Sequence, residues 1–204
     1  MAKDTRARML AITARLLQHR GYHGTALSDI LEESDAPRGS LYFHFPGGKD
    51  QLVLEATRAA AEEATQALRE CLAAAKTPAQ AVRMYAEAAA DLMCESEYTF
   101  GCPVAPVILD AAGGVSELAE LCRQTLEEWV AMLKTAFVAA GIPSRRAEPL
   151  ALLVVSSIEG LLVIARAYRD ISAMKAVAVQ LESIVDAALP RRRVALAARA
   201  AGSE

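Results

Sequence analysis

Little in this chain favours a sheet, a metal centre or a catalytic site. Aromatic residues make up only 5 % of the composition, and there are eleven glycines and eight prolines in 204 residues. No run alternates apolar and polar residues in the manner of a half-buried strand. The hydrophobic share is nevertheless 53 %, carried mostly by Ala and Leu, which favours helices. The four cysteines, at 71, 94, 102 and 122, form no closely spaced ligand pairs, so a zinc module is not expected. There is no His-Glu-x-x-His, no Gly-rich phosphate loop and no nucleophile elbow. All three histidines (His19, His23, His44) fall in the first quarter of the chain. The sequence therefore argues against an enzyme, and no cofactor or metal is expected.

A strong charge of one sign is also missing. The net charge is −3, with seven Lys/Arg against six Asp/Glu in residues 1–50 and fifteen against nineteen in the rest. Bulk charge so mild leaves any anion-binding surface to be located by motif. The N-terminus is charged and has no apolar signal core, which predicts a cytoplasmic protein with reduced thiols. The most apolar run, Leu150–Ala165, is interrupted by Ser156, Ser157 and Glu159. It falls short of the roughly 20 apolar residues of a membrane span, and its glutamate would be costly in lipid. A helix apolar on nearly every side in a soluble chain is buried on two faces, so this one is expected to serve the core and a second subunit, with no membrane partner.

Periodicity and punctuation predict an all-α chain of about nine helices. The first, at about 3–20, puts Met9, Ile12 and Leu16 on one stripe and stops at Gly21. Two short helices follow at about 25–33 and 38–44, with Thr25 as the cap of the former and Ser34–Pro37 as the break between them. Pro46-Gly47-Gly48 ends this region. Longer helices are then expected at about 49–75, 78–95, 115–140, 145–169 and 172–189, with a short one inside 101–114. The division predicted is 1–48, 49–190 and a basic tail at 191–204 that contains Arg191-Arg192-Arg193.

Residues 21–52, GYHGTALSDILEESDAPRGSLYFHFPGGKDQL, carry the most specific signal. Two short helices joined by a tight turn let the second enter the major groove of DNA by its N-terminus. The positions Gly21, Tyr22, Thr25, Ile30, Gly39, Ser40, Leu41, Tyr42, Phe45, Lys49 and Leu52 resemble the DNA-binding signature of the TetR family. The resemblance implies an N-terminal three-helix, helix-turn-helix DNA-binding domain on a C-terminal helical ligand-binding and dimerisation domain. It implies a repressor that binds a palindromic, double-stranded operator as a homodimer and is released by a small-molecule effector.

At the head of the reading helix, Arg38 suits guanine, Gly39 permits close backbone approach, and Ser40 reaches a base or a phosphate. Thr25, Tyr42, His44 and Lys49 are the candidates for backbone phosphates. The alternatives are a cap for Thr25, packing for Tyr42, a solvated helix end for His44 and a helix start for Lys49. Two positions depart from the family pattern. Asp35 stands where glycine is usual, and Pro37 stands where Ser or Thr is common.

The Pro-Gly-Gly spacer and the segment Gly101–Val107 resemble the LmrA/YxaF-like branch, some of whose members respond to flavonoid-like molecules. A mostly apolar effector is therefore expected, with Met84, Tyr85, Met93, Phe100, Val104, Trp129 and Leu133 as candidate walls and Ser157 and Glu159 as polar contacts. The helices of about 147–169 and 172–189 are the expected homodimer interface, where a charge such as Leu161→Asp should yield monomers. Redox sensing through Cys94 and Cys102 is the alternative to ordinary buried thiols.

Overall fold

The computed structural model describes residues 2–99, 101–111 and 116–190, and these are helical apart from short connections, with no strand. Among the described residues there are nine helices: α1 (Ala2–Arg20), α2 (Leu27–Glu33), α3 (Arg38–His44), α4 (Gly48–Ala74), α5 (Pro78–Glu95), α6 (Ala105–Ala111), α7 (Ser116–Ala139), α8 (Ser144–Tyr168) and α9 (Ser172–Ala188). The Arg191–Arg193 tail and Phe100 lie outside the described residues.

Local chemistry explains most of the boundaries. Gly21 follows α1 at φ +70°, and its amide closes the helix on the Leu17 carbonyl at 2.9 Å. Thr77 caps α5 by accepting from the Gln80 amide at 3.1 Å, with Pro78 at the first turn. Asp35, in the turn after α2, takes the left-handed conformation at φ 47°, a conformation its short polar side chain tolerates. Pro37 precedes α3 without a side-chain cap.

One boundary differs from the sequence expectation. Thr25 is not the cap of α2, because its hydroxyl donates to the Gly21 carbonyl at 2.7 Å and is buried. The helix starts two residues later, with Ala26 at its cap position.

Two cores result. Met9, Leu16, Ile30, Leu41, Phe45 and Leu52 form a small one among α1, α2, α3 and the start of α4. The large one runs through α4, α5, α7, α8 and α9. Helix α4 belongs to both, with Leu52 in the first and Val53, Ala56, Ala61 and Leu68 in the second. By length and composition α8 is apolar enough to cross a membrane, but here it packs against α5, α7 and α9.

Candidate nucleic-acid interface and ligand cavity

The α1–α3 head is held together by its own arginines. Arg15 pairs with Glu33, Arg20 with Asp29 at 2.8 Å, and Arg6 with Glu55 while lying over the Phe45 ring. Arg8 pairs with Asp4 and donates to the Ser34 carbonyl at 3.2 Å, which pins the turn between α2 and α3. These cations are thus engaged in orienting the two short helices.

Arg38 is different. It is exposed at the first position of α3 and makes no hydrogen bond or ion pair with the described chain. Beside it, a Cβ on Gly39 would meet nothing within 4 Å, so nothing inside the chain requires glycine there. The Ser40 amide closes onto the Pro37 carbonyl at 2.8 Å and its side chain is half-buried. Tyr42 is 62 % exposed and His44 is half-buried, stacked edge-on between Phe43 and Phe45. Leu41 and Phe45 point inward and fix this face outward.

Two of the expected contacts change character. The Thr25 side chain is turned into the fold, so it cannot offer its hydroxyl to a phosphate without leaving Gly21. The Lys49 ammonium lies 4.6 Å from the centre of the Tyr22 ring and 3.4 Å from the Tyr22 carbonyl oxygen. The Tyr22 hydroxyl in turn donates to Asp50 at 2.6 Å, and that carboxylate pushes the phenol up to about 12. Lys49, Tyr22 and Asp50 therefore tie the end of α1 to the start of α4. The sequence reading passed over Phe43, which is 75 % exposed next to Tyr42. Its position between the inward Leu41 and Phe45 was the available signal.

In the body, α4, α5, α7, α8 and the Gly101–Pro103 segment line a mostly apolar, partly open cavity. Tyr85, Trp129, Leu133 and Glu159 line it, together with Cys102 and the aliphatic residues Leu68, Val82, Val154 and Ile158. Met84, Met93, Val104 and Ser157 do not. Met93 and Val104 are fully buried in the large core, whereas Met84 and Ser157 are half-buried away from the cavity. The Trp129 indole N–H is already used, donating at 2.7 Å to Thr65, so Trp129 offers its ring rather than its donor.

Burial raises both the Tyr85 hydroxyl and the Glu159 carboxyl above their ordinary values. It raises the Cys102 thiol as well, which keeps it protonated and unreactive, while Cys94 is exposed. That pairing gives the redox reading no support.

The cavity wall touches the head. Arg166 of α8 donates to the Gln18 carbonyl of α1 at 3.1 Å and to the Thr99 carbonyl at 2.9 Å. Its guanidinium packs so close to Gly101 that a Cβ there would lie 2.5 Å away. From α6, Asp110 accepts the His23 amide at 3.1 Å and would lie 2.3 Å from a Cβ on Gly21.

Residues 9–56 match "Bacterial regulatory proteins, tetR family", and residues 78–180 match "Transcriptional regulator LmrA/YxaF-like, C-terminal domain". An uncharacterized HTH-type transcriptional regulator of Mycobacterium tuberculosis is 33 % identical over 192 residues, covering 92 % of this chain and 97 % of that protein. The HTH-type transcriptional regulator LmrA of Bacillus subtilis is 34 % identical over 160 residues, 77 % of this chain and 84 % of LmrA. The crystal structure of a TetR transcriptional regulator from Chloroflexus aurantiacus superposes with a TM-score of 0.79 at 27 % identity, covering 92 % of this chain and 97 % of that one.

Proposed function

Since the chain belongs to the TetR family of transcriptional regulators, we propose that it is a cytoplasmic repressor whose homodimer holds a palindromic operator until a small, mostly apolar ligand fills the cavity. The observation that carries the DNA half of this reading is the outward face of α3. Arg38, Gly39, Tyr42 and Phe43 have no structural duty that explains them, on a helix whose inner side is locked by Leu41 and Phe45. In a two-fold dimer two such helices sit about one DNA turn apart and meet successive major grooves. Arg38 and Ser40 read bases, while Tyr42, His44 and Lys49 approach the backbone. Thr25 supports the loop rather than the DNA.

Release needs only a ligand that prefers the dimer with its heads out of register. Three physical links support such coupling: α4, shared by both cores; Arg166, bridging the cavity wall to Gln18; and Asp110, holding the His23 amide. A partly aromatic molecule suits a cavity that both Trp129 and Tyr85 line.

The experiment is selection of bound sequences from random DNA, followed by salt titration on the selected site. Affinity should fall steeply with salt, and the selected sequence should be two-fold symmetric. Arg38→Ala should cost about 1–3 kcal/mol on that site and relax the preference at one position of each half-site. Lys49→Ala should weaken all sequences alike. A salt slope lower by about 1 would mark Lys49 as a phosphate contact, and an unchanged slope would leave it the tie to Tyr22 alone. An unaltered sequence preference for Arg38→Ala would remove the base-reading role.

A further inference from the structure

The cavity is almost entirely hydrocarbon, and yet it contains a carboxyl group. Glu159, Tyr85 and Cys102 are its ionisable lining, reached from α8, α5 and the segment before α6. No lysine, arginine or histidine lines it. The cation nearest along α8 is Arg166, whose guanidinium is held by the carbonyls of Gln18 and Thr99. Among the described residues, the polar neighbour that acts on Glu159 is the Cys102 thiol, a weak donor. Cys71 of α4, whose thiol burial pushes up, lies outside the lining, and α7 contributes Trp129 and Leu133, which do not ionise. Among the described residues, every titratable group lining the cavity with Glu159 is thus neutral or acidic, and no cation there compensates the carboxylate. A buried acid with no cation stays protonated until one arrives.

We propose that the cavity takes a lipophilic monocation, a compact aromatic body with one protonated amine that pairs with Glu159 while its rings pack between Trp129 and Tyr85. The inference rests on the cavity being the effector site and narrows the class of effector. An organic anion finds Glu159, the Tyr85 hydroxyl and one thiol, with no cation to pair it, and is disfavoured. A neutral phenol or alcohol can exchange a hydrogen bond with the carboxyl but gains no ion pair. The cation gains both the ion pair and the electron-rich faces of two aromatic rings.

Binding has a proton balance. The ligand keeps its ammonium proton and Glu159 releases one proton to solvent, so one proton leaves per ligand bound. Burial raises the carboxyl, and affinity for the amine must therefore rise with pH across the range in which free Glu159 is still protonated. Tyr85, Cys71 and Cys102 are pushed upward and remain neutral through that range.

The test is calorimetry of the full chain with three probes of one shape: naphthylmethylamine, naphthylmethanol and methylnaphthalene. Toward alkaline pH the amine should bind roughly tenfold or more tightly than the hydrocarbon, and the two should approach parity as falling pH keeps Glu159 protonated. Buffers of different ionisation enthalpy should report proton release for the amine alone. Glu159→Gln should bring the amine-to-hydrocarbon ratio close to one and remove its pH dependence, with an unchanged helical circular dichroism spectrum as the check on folding. An amine no tighter than the alcohol, or an advantage that survives in Glu159→Gln, overturns the inference and leaves the cavity reading standing. If none of the three probes binds, the cavity reading fails and the inference fails with it.

Discussion

A Val163→Asp variant is expected to elute as a monomer and to lose operator affinity by about 100-fold or more. Val163 is 69 % exposed in the single chain, on a face of α8 that also carries Leu152, Leu153 and Ile164. Ser156 and Gly160 lie along the same face, and a Cβ at Gly160 would meet nothing within 4 Å. Val179 and Ile184 extend the apolar surface onto α9. Large aliphatic side chains around small ones are what a second helix pair needs for close approach, and a two-fold axis presents the same patch from both sides. An aspartate there is introduced twice and must be desolvated twice, at several kcal/mol for each unpaired charge. Losing the dimer removes the linkage of two half-sites, and that linkage commonly contributes two orders of magnitude or more. Because Val163 is outside the large core, the monomer should keep its helical spectrum. Leu161, which the apolar pattern of α8 also offers as an interface position, is only 6 % exposed and lies in the chain's own core. A charge at Leu161 would unfold the body and say nothing about assembly. If Val163→Asp remains a stable dimer on gel filtration, the interface lies elsewhere.

The difference between Leu161 and Val163 illustrates what was legible in the sequence. Helical periodicity locates elements well, since apolar stripes and the stops at Gly21, Pro46 and Pro143 act over a few residues. The helices of the body begin and end within a few residues of expectation for that reason. Thr25 was misread because two local partners compete for one hydroxyl, the orphan amides of α2 and the Gly21 carbonyl, and the second wins. Along α8 periodicity cannot rank residues, because nearly every position is apolar and the core-facing and outward stripes look alike. The cavity is harder still. Met84, Met93 and Val104 have the chemistry of a ligand wall as fully as Leu133 does, but an empty space is set by how α4, α5, α7 and α8 meet, which no single stretch encodes. Glu159 was visible because a charge within an apolar run has to be accounted for locally. Phe43 was overlooked for the converse reason, since an exposed aromatic in a short helix violates no local rule.

Phe45→Ala should separate the head from the body. Phe45 is fully buried and is the largest residue of the small core, which has only Met9, Leu16, Ile30, Leu41 and Leu52 as its other buried members. Removing a buried phenyl costs about 3–5 kcal/mol, and so small a core has little more than that in reserve. Arg6 loses the ring it lies over, and α3, only seven residues long, has no other large anchor than Leu41. The large core contains neither Phe45 nor its immediate partners, so α5, α7, α8 and α9 should persist. The expected variant is therefore dimeric, still largely helical and able to bind whatever the cavity binds, but without measurable operator affinity at about 25 °C. Thermal unfolding should show a low-temperature loss of part of the helical signal ahead of the main transition. This outcome differs from that of Arg38→Ala, where the head stays folded and only the choice of base relaxes. It also bounds the regulatory coupling, because α4, Arg166 and Asp110 need transmit only the roughly 1–3 kcal/mol typical of such switches, well below the energy that folds either core. Operator binding that survives in Phe45→Ala at close to its original strength would mean that the contacts to α6 and α8, rather than the small core, hold the reading helix in place.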